Sequence, residues 1–408
     1  MKARNWGRAG DDVVGGRESG LQRYVQILAL MSVERRLSAW GLVMTMENRT
    51  EEVEGYDLLV TPEFAPLAEF AGFGAYEAVA VQETGREISA LIDRIPGAIS
   101  GYLMMRPESA PLMGGSDLPV SEPLIKEWLD RTISGPFDGE LAAFLGEISH
   151  VGGKEVTFPG VQIPLPPQLI LALTAWLQGQ ILEALGETCD LAIVSAAGAA
   201  WMNQLLLQLG IILAPSLTEP DGPLGHHEAA EFHPYAEFAG FGAKETSILR
   251  KTGPLLGPAA GGVVTLAYDY LLSRPESAGY FQDASHLTQR KMTLKTWWSR
   301  TTTKPMDGDF HGYMSRVADA HVKDGGTHPH VVIPADLTIA LMGWVEMRVM
   351  TALNTIAPGD AGDDYVFGKL PEPPAAAEVG KAWMRMLTLQ LGVLLKPYLA
   401  SSVTPAIA

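Results

Sequence analysis

Cysteine is nearly absent from this chain. Cys189 stands alone among 408 residues, so no disulfide forms within one molecule and no cysteine-pair metal site exists, which fits a reducing compartment and makes the cytoplasm the expected location. Basic residues are in deficit, 30 Lys and Arg against 47 Asp and Glu for a net charge of −17. Nucleic-acid binding needs a concentrated basic face, so that partner is not expected, and an anionic membrane surface is disfavoured for the same reason. Long uninterrupted apolar runs are missing as well. Ile163 to Leu177 and Met202 to Ala214 fall short of the roughly 20 residues of a membrane helix, so no membrane span is predicted. Ile27 to Met46 is broken by Glu34-Arg35-Arg36, a poor match to a secretory leader. There is no P-loop, no Gly-x-Gly-x-x-Gly turn and no serine nucleophile elbow, and alternating strand patterns are hard to find.

What the chain does have is a sentence written twice. Pro66-Leu67-Ala68-Glu69-Phe70-Ala71-Gly72-Phe73-Gly74-Ala75 recurs 168 residues on as Pro234-Tyr235-Ala236-Glu237-Phe238-Ala239-Gly240-Phe241-Gly242-Ala243. Arg106-Pro107-Glu108-Ser109-Ala110 returns as Arg274-Pro275-Glu276-Ser277-Ala278, and Trp128 with Arg131-Thr132 as Trp297 with Arg300-Thr301. Near the end of each half, Trp201-Met202 with Leu205, Leu207, Gln208, Leu209 and Gly210 matches Trp383-Met384 with Leu387, Leu389, Gln390, Leu391 and Gly392. A period of this length is domain-sized, far beyond the roughly 20–50 residues of a solenoid repeat, and predicts two copies of one globular fold.

Each copy reads as helical. Ile88, Leu91, Ile92, Ile95 and Ile99 in the first, and Leu387, Leu391, Leu394 and Leu395 in the second, recur at turn spacing, while Gly and Pro punctuate the segments. The expected fold is all-α, divided into an N-terminal extension at 1–55, a first domain at 56–214, a breaker-rich linker at 215–229 and a second domain at 230–401. The first 45 residues have no counterpart in the second copy; an accessory helix and an artefact of start-codon choice, with Met44 or Met46 as the true start, are weighed equally. A second insert, Ala357 to Pro374, occurs only in the second copy.

One histidine in each copy sits in matching surroundings. The second copy carries Pro305, Asp307-Gly-Asp309-Phe310, then His321 and Lys323; the first carries Pro136, Asp138-Gly-Glu140-Leu141, then His150 and Lys154. An apolar segment opened by Ile-Pro follows each, at Ile333-Pro334 and Ile163-Pro164. These ordered landmarks resemble the protoglobin family and the related sensor domains of globin-coupled sensors, over about residues 60–214 and 230–398. The resemblance implies a globin-like, protoglobin-type domain in each copy and one b-type haem per domain, its iron held by His150 and His321. Without a Cys-x-x-Cys-His motif that haem is non-covalent. His150 follows Asp138 by twelve residues where His321 follows Asp307 by fourteen, a departure of the first copy from the family pattern.

On the opposite face the resemblance places Tyr268, with Ser100 in its position in the first copy. Ala267 and Ile99 stand where the family has tryptophan, and Ile125 and Leu294 where it has a distal phenylalanine. Lys154 and Lys323 are placed either near haem propionates or in solvent. The remaining clusters, His226, His227 and His233 at the linker and His328 and His330 around Pro329, read as solvated loop residues, and Trp128, Trp201, Trp297 and Trp383 as core.

A five-coordinate haem with an apolar far side binds small diatomic ligands, so the expected function is binding or sensing of oxygen, carbon monoxide or nitric oxide. A haem-dependent enzyme acting on peroxide, nitric oxide or a nitrogen-containing small molecule, and a haem-free interaction module, are the alternatives. Protoglobins pair through their last helices, and the Leu205–Leu213 segment has more apolar positions than one stripe holds. The resemblance therefore implies that residues 168–213 pack against 335–397, making the chain an intramolecular pseudo-dimer.

Overall fold

The computed structural model describes residues 65–105, 120–134, 137–152, 155–161, 163–189, 191–217, 232–257, 260–281, 284–303, 308–322, 333–356 and 376–399. Their architecture is all-α. The first run is α1 (Ala65–Ala71), α2 (Ala75–Glu87), α3 (Ser89–Met105), α4 (Glu122–Ser134), α5 (Gly139–Ser149), α6 (Pro167–Thr188) and α7 (Leu191–Leu213). The second is α8 (Phe232–Phe238), α9 (Ala243–Leu256), α10 (Ala260–Ser273), α11 (Pro275–Ala278), α12 (Ala284–Thr303), α13 (Gly308–Val322), α14 (Ala335–Ile356) and α15 (Ala376–Leu395). One feature departs from a purely helical reading: β1 (His150–Gly152) and β2 (Glu155–Val156) form a short antiparallel ladder directly after α5.

Two stretches, Pro167–Thr188 and Ala197–Ser216, are long and apolar enough to cross a membrane by length and composition, contrary to the expectation from their interrupted sequence. The prolines explain the difference. Pro166 caps α6 and Pro167 occupies its first turn, where the missing N–H has no helical partner to lose, so the helix runs on for 22 residues. Of the two apolar windows, 78% and 83% are buried. What buries them is other helices: α6 packs along α15, and α7 along α14. Residues 168–213 and 335–397 are thus in contact.

The same side-chain bonds hold each half together. Trp201 donates its indole N–H to Thr84 Oγ1 at 3.0 Å and Trp383 donates to Thr252 Oγ1 at 3.0 Å. Trp128 donates to Gln208 Oε1 at 2.7 Å and Trp297 to Gln390 Oε1 at 2.7 Å. Between the halves the contacts are reciprocal. Tyr102 meets Phe238 edge-on at 5.2 Å, and Tyr270 meets Phe70 at 5.7 Å. Leu182 and Met350 both crowd Gly198 and Gly380, and Gln178 donates to Glu346 across the centre at 3.2 Å. In a two-fold contact the residues on the axis meet their own equivalents; Gln178 and Glu346 are 168 residues apart.

Glycine permits the tightest helix crossing in the second half. At Gly253 on α9 a Cβ would land on the carbonyl oxygen of Thr302 at the end of α12. That oxygen is backbone and cannot step aside, so Gly253→Ala must push α9 off α12. The expected cost is about 3 kcal/mol, at the upper end of overpacking effects. A urea midpoint within error of the parent's would show the two helices to be further apart than described.

Candidate functional site

A cavity of ≈ 400 Å³ opens inside the second half, between α12, α13 and α14. That size lies within the range of cofactor and ligand pockets, about 300–1,000 Å³. Helical spacing aims its walls. Met314, Val317 and His321 recur at three- and four-residue steps on α13, and Leu337, Leu341 and Val345 at four-residue steps on α14, so each helix presents one stripe to the cavity. Leu294 and Trp297 of α12 and Tyr268 of α10 complete the second side, and Phe70, from α1 of the first half, closes the wall.

His321 lies in the last turn of α13. Its Nδ1 is 2.7 Å from the Val317 carbonyl oxygen, which accepts only if Nδ1 carries the proton. Burial pushes its pKa below the ordinary imidazole value of 6.5, an effect larger than the opposing pull of the Val317 bond. The residue is half-buried and lines the cavity. A neutral ring with Nδ1–H committed has its lone pair on Nε2, for which the structure shows no hydrogen-bond partner among the described residues. That is the form in which histidine ligates a metal.

Tyr268 lines the same cavity and is buried. Its ring meets Phe281 edge-on at 5.6 Å. Burial drives the phenol pKa up to about 12, against the smaller lowering by Arg290, so the group stays a neutral O–H. No hydrogen-bond partner for that hydroxyl occurs among the described residues. Leu294, on α12, is half-buried in the cavity wall.

Arg290, one turn before Leu294 on α12, also lines the cavity, and its guanidinium carbon lies 5.2 Å over the Phe281 ring. Its charge lowers the pKa of both Tyr268 and His321. The sequence reading did not single it out, although its position four residues before Leu294 was the available signal. Phe70 had no such signal, because only the contact between the halves brings it here.

The first-half candidates come out differently. Ser100 is half-buried on α3 and Ile125 fully buried on α4. His150 is not in the helix: α5 ends at Ser149, and His150 begins β1, its backbone paired with Val156. Lys154, Lys323, His226, His227, His328 and His330 lie outside the described residues. Among the described residues no group of three or more His, Cys, Asp or Glu gathers in metal-binding array.

The protoglobin family model matches residues 228–403, the part of the chain that holds this cavity. No curated protein and no solved structure matches the chain. The matched span is helical and is similar to that family over these residues.

Proposed function

We propose that the second half binds b-type haem non-covalently, with His321 as the iron ligand, and that the protein binds a diatomic gas there. The observation that carries this reading is the pairing of a neutral, Nδ1-anchored His321 with an unpartnered Tyr268 hydroxyl on one mostly apolar cavity. The residues fit the group. His321 offers Nε2, the leucine and valine stripes would keep water from the macrocycle, and Arg290 in the cavity wall would pair with a propionate. Bound iron supplies reversible coordination of oxygen, carbon monoxide or nitric oxide. The chain's own part is to keep His321 neutral, to hold it through Val317, and to direct one O–H from Tyr268 at a polar ligand.

The test is spectroscopic. The purified chain should show a haem absorption band that shifts on adding carbon monoxide to the reduced protein; a chain that takes up no haem removes the reading. Tyr268→Phe keeps the ring and deletes the donor. A hydrogen bond to a partly charged ligand is worth about 1.5–3 kcal/mol, so oxygen release should quicken by roughly ten- to a hundred-fold, while release of the less polar carbon monoxide changes little. Equal release of oxygen from both proteins would take Tyr268 away from the ligand.

A further inference from the structure

In the first half the residues that match the cavity walls are covered by the chain itself. Trp297 and Leu294 correspond, 169 residues earlier, to Trp128 and Ile125. Phe158 packs edge-on against Trp128 at 5.3 Å. Gly160 lies so close to Ile125 that a Cβ there would strike its side chain, and its φ of +78° suits glycine. The segment is pinned at both ends. Gly160 O accepts from Ser121 N at 2.7 Å, just before α4, while Thr157 donates through N to Ser149 O at 2.8 Å and through Oγ1 to Ile148 O at 3.2 Å, at the end of α5. Residues 156–161 therefore bridge α5 and α4, the pair whose counterparts α13 and α12 flank the cavity in the second half. Val156, Phe158 and Val161 are 1–2% exposed.

Two further observations agree. Val345 and Thr338 of the cavity wall are matched, 168 residues earlier, by the bulkier Leu177 and Ile170, both fully buried. The histidine is also out of phase. Phe310, Met314, Val317 and His321 align with Leu141, Leu145, Ile148 and Gly152, so His150 comes two residues early, and both it and Gly152 lie in β1, past the end of α5.

We infer that the first half is a haem-free pseudo-subunit whose own segment 156–161 occupies its cofactor site, and that its contribution to function is Phe70, seated in the wall of the other half's cavity. The inference rests on the haem reading above. It sets one haem per chain where the repeated histidines imply two.

The full chain is incubated with excess haemin, desalted and assayed by pyridine haemochrome. The expected ratio is one haem per chain, unchanged in amount and spectrum by His150→Ala. Phe70→Ala, and the milder Phe70→Leu, should speed haem transfer to a haem-free acceptor globin by about ten-fold for the alanine, although neither touches the second half's sequence. Two haems per chain, or loss of haem in His150→Ala, would overturn the occupied-site assignment while leaving haem binding intact. No haem in the parent chain would overturn the haem reading itself and this inference with it. Unchanged transfer rates in both Phe70 variants would remove the cross-half role.

Discussion

His321→Ala is expected to abolish stable haem binding by the whole chain. The argument is one of alternatives. Among the described residues His321 is the one histidine placed in the cavity wall, and the other polar side chains that line it, Tyr268 and Gln289 among them, offer no neutral nitrogen lone pair. Loss of the ligand bond leaves only the apolar contacts of the macrocycle, and a change of about 4 kcal/mol, or roughly a thousand-fold in affinity, is the least expected. Imidazole, small enough for the space left by the side chain, should restore part of the absorption spectrum. The pH dependence has a defined direction. Because burial lowers the His321 pKa, protonation competes with ligation only below the ordinary value near 6.5, so haem should be retained at neutral pH and released on acidification below that value. For the apo chain the same shift takes stability away as pH falls from the unfolded value through the folded one, since the unfolded state binds the proton first. A His321→Ala protein that keeps its haem and its carbon monoxide spectrum would move the ligand elsewhere.

Much of this was legible in the residues. The helical class follows from turn-spaced apolar positions such as Ile88, Ile92, Ile95 and Ile99, which are all buried. His321 and Tyr268 came from ordered landmarks, and both line one cavity. The contact of residues 168–213 with 335–397 was foreshadowed by the surplus of leucines around Leu205. The hairpin after α5 was not legible, because its strands are three and two residues long and too short for any period to show. Nor was the fate of His150 to be read from its neighbours alone. The two-residue deficit behind it was visible in the sequence, but that Phe158 turns inward onto Trp128 depends on the αL glycine at 160 and on the bond from Ser121, both set by tertiary contact. Phe70 belongs to the same class of long-range information.

One carboxyl group at the contact between the halves should take stability away as pH rises from 5 to 8, opposite in sign to the His321 contribution. Glu346 on α14 is fully buried, and burial raises its pKa from 4.5 to about 8, outweighing the opposing bonds from Thr388 and Gln178. The Thr388 hydroxyl lies 2.7 Å from Gln178 Oε1 and 2.9 Å from Glu346 Oε1, and its one proton can serve only one of them. A protonated Glu346 resolves the conflict: it donates to Thr388, which donates to Gln178 Oε1, while Gln178 Nε2 donates to Glu346 Oε2 at 3.2 Å. The ring is complete only when Glu346 is neutral. Between pH 4.5 and 8 the unfolded chain has lost that proton and the folded chain keeps it, so stability declines by up to ~1.4 kcal/mol per pH unit, of order 5 kcal/mol over the window. Glu346→Gln supplies the same donor and acceptor without a titrating proton. Its urea midpoint should therefore vary less with pH, matching the parent near pH 5 and exceeding it at pH 8. Glu346→Ala, which strands Gln178 and Thr388 in a dry contact, should be less stable by about 3 kcal/mol near pH 5, a deficit that narrows as pH rises toward 8. Parallel stability profiles for the parent and Glu346→Gln would mean that the carboxylate is already ionised in the folded protein and that the ring is held in some other way.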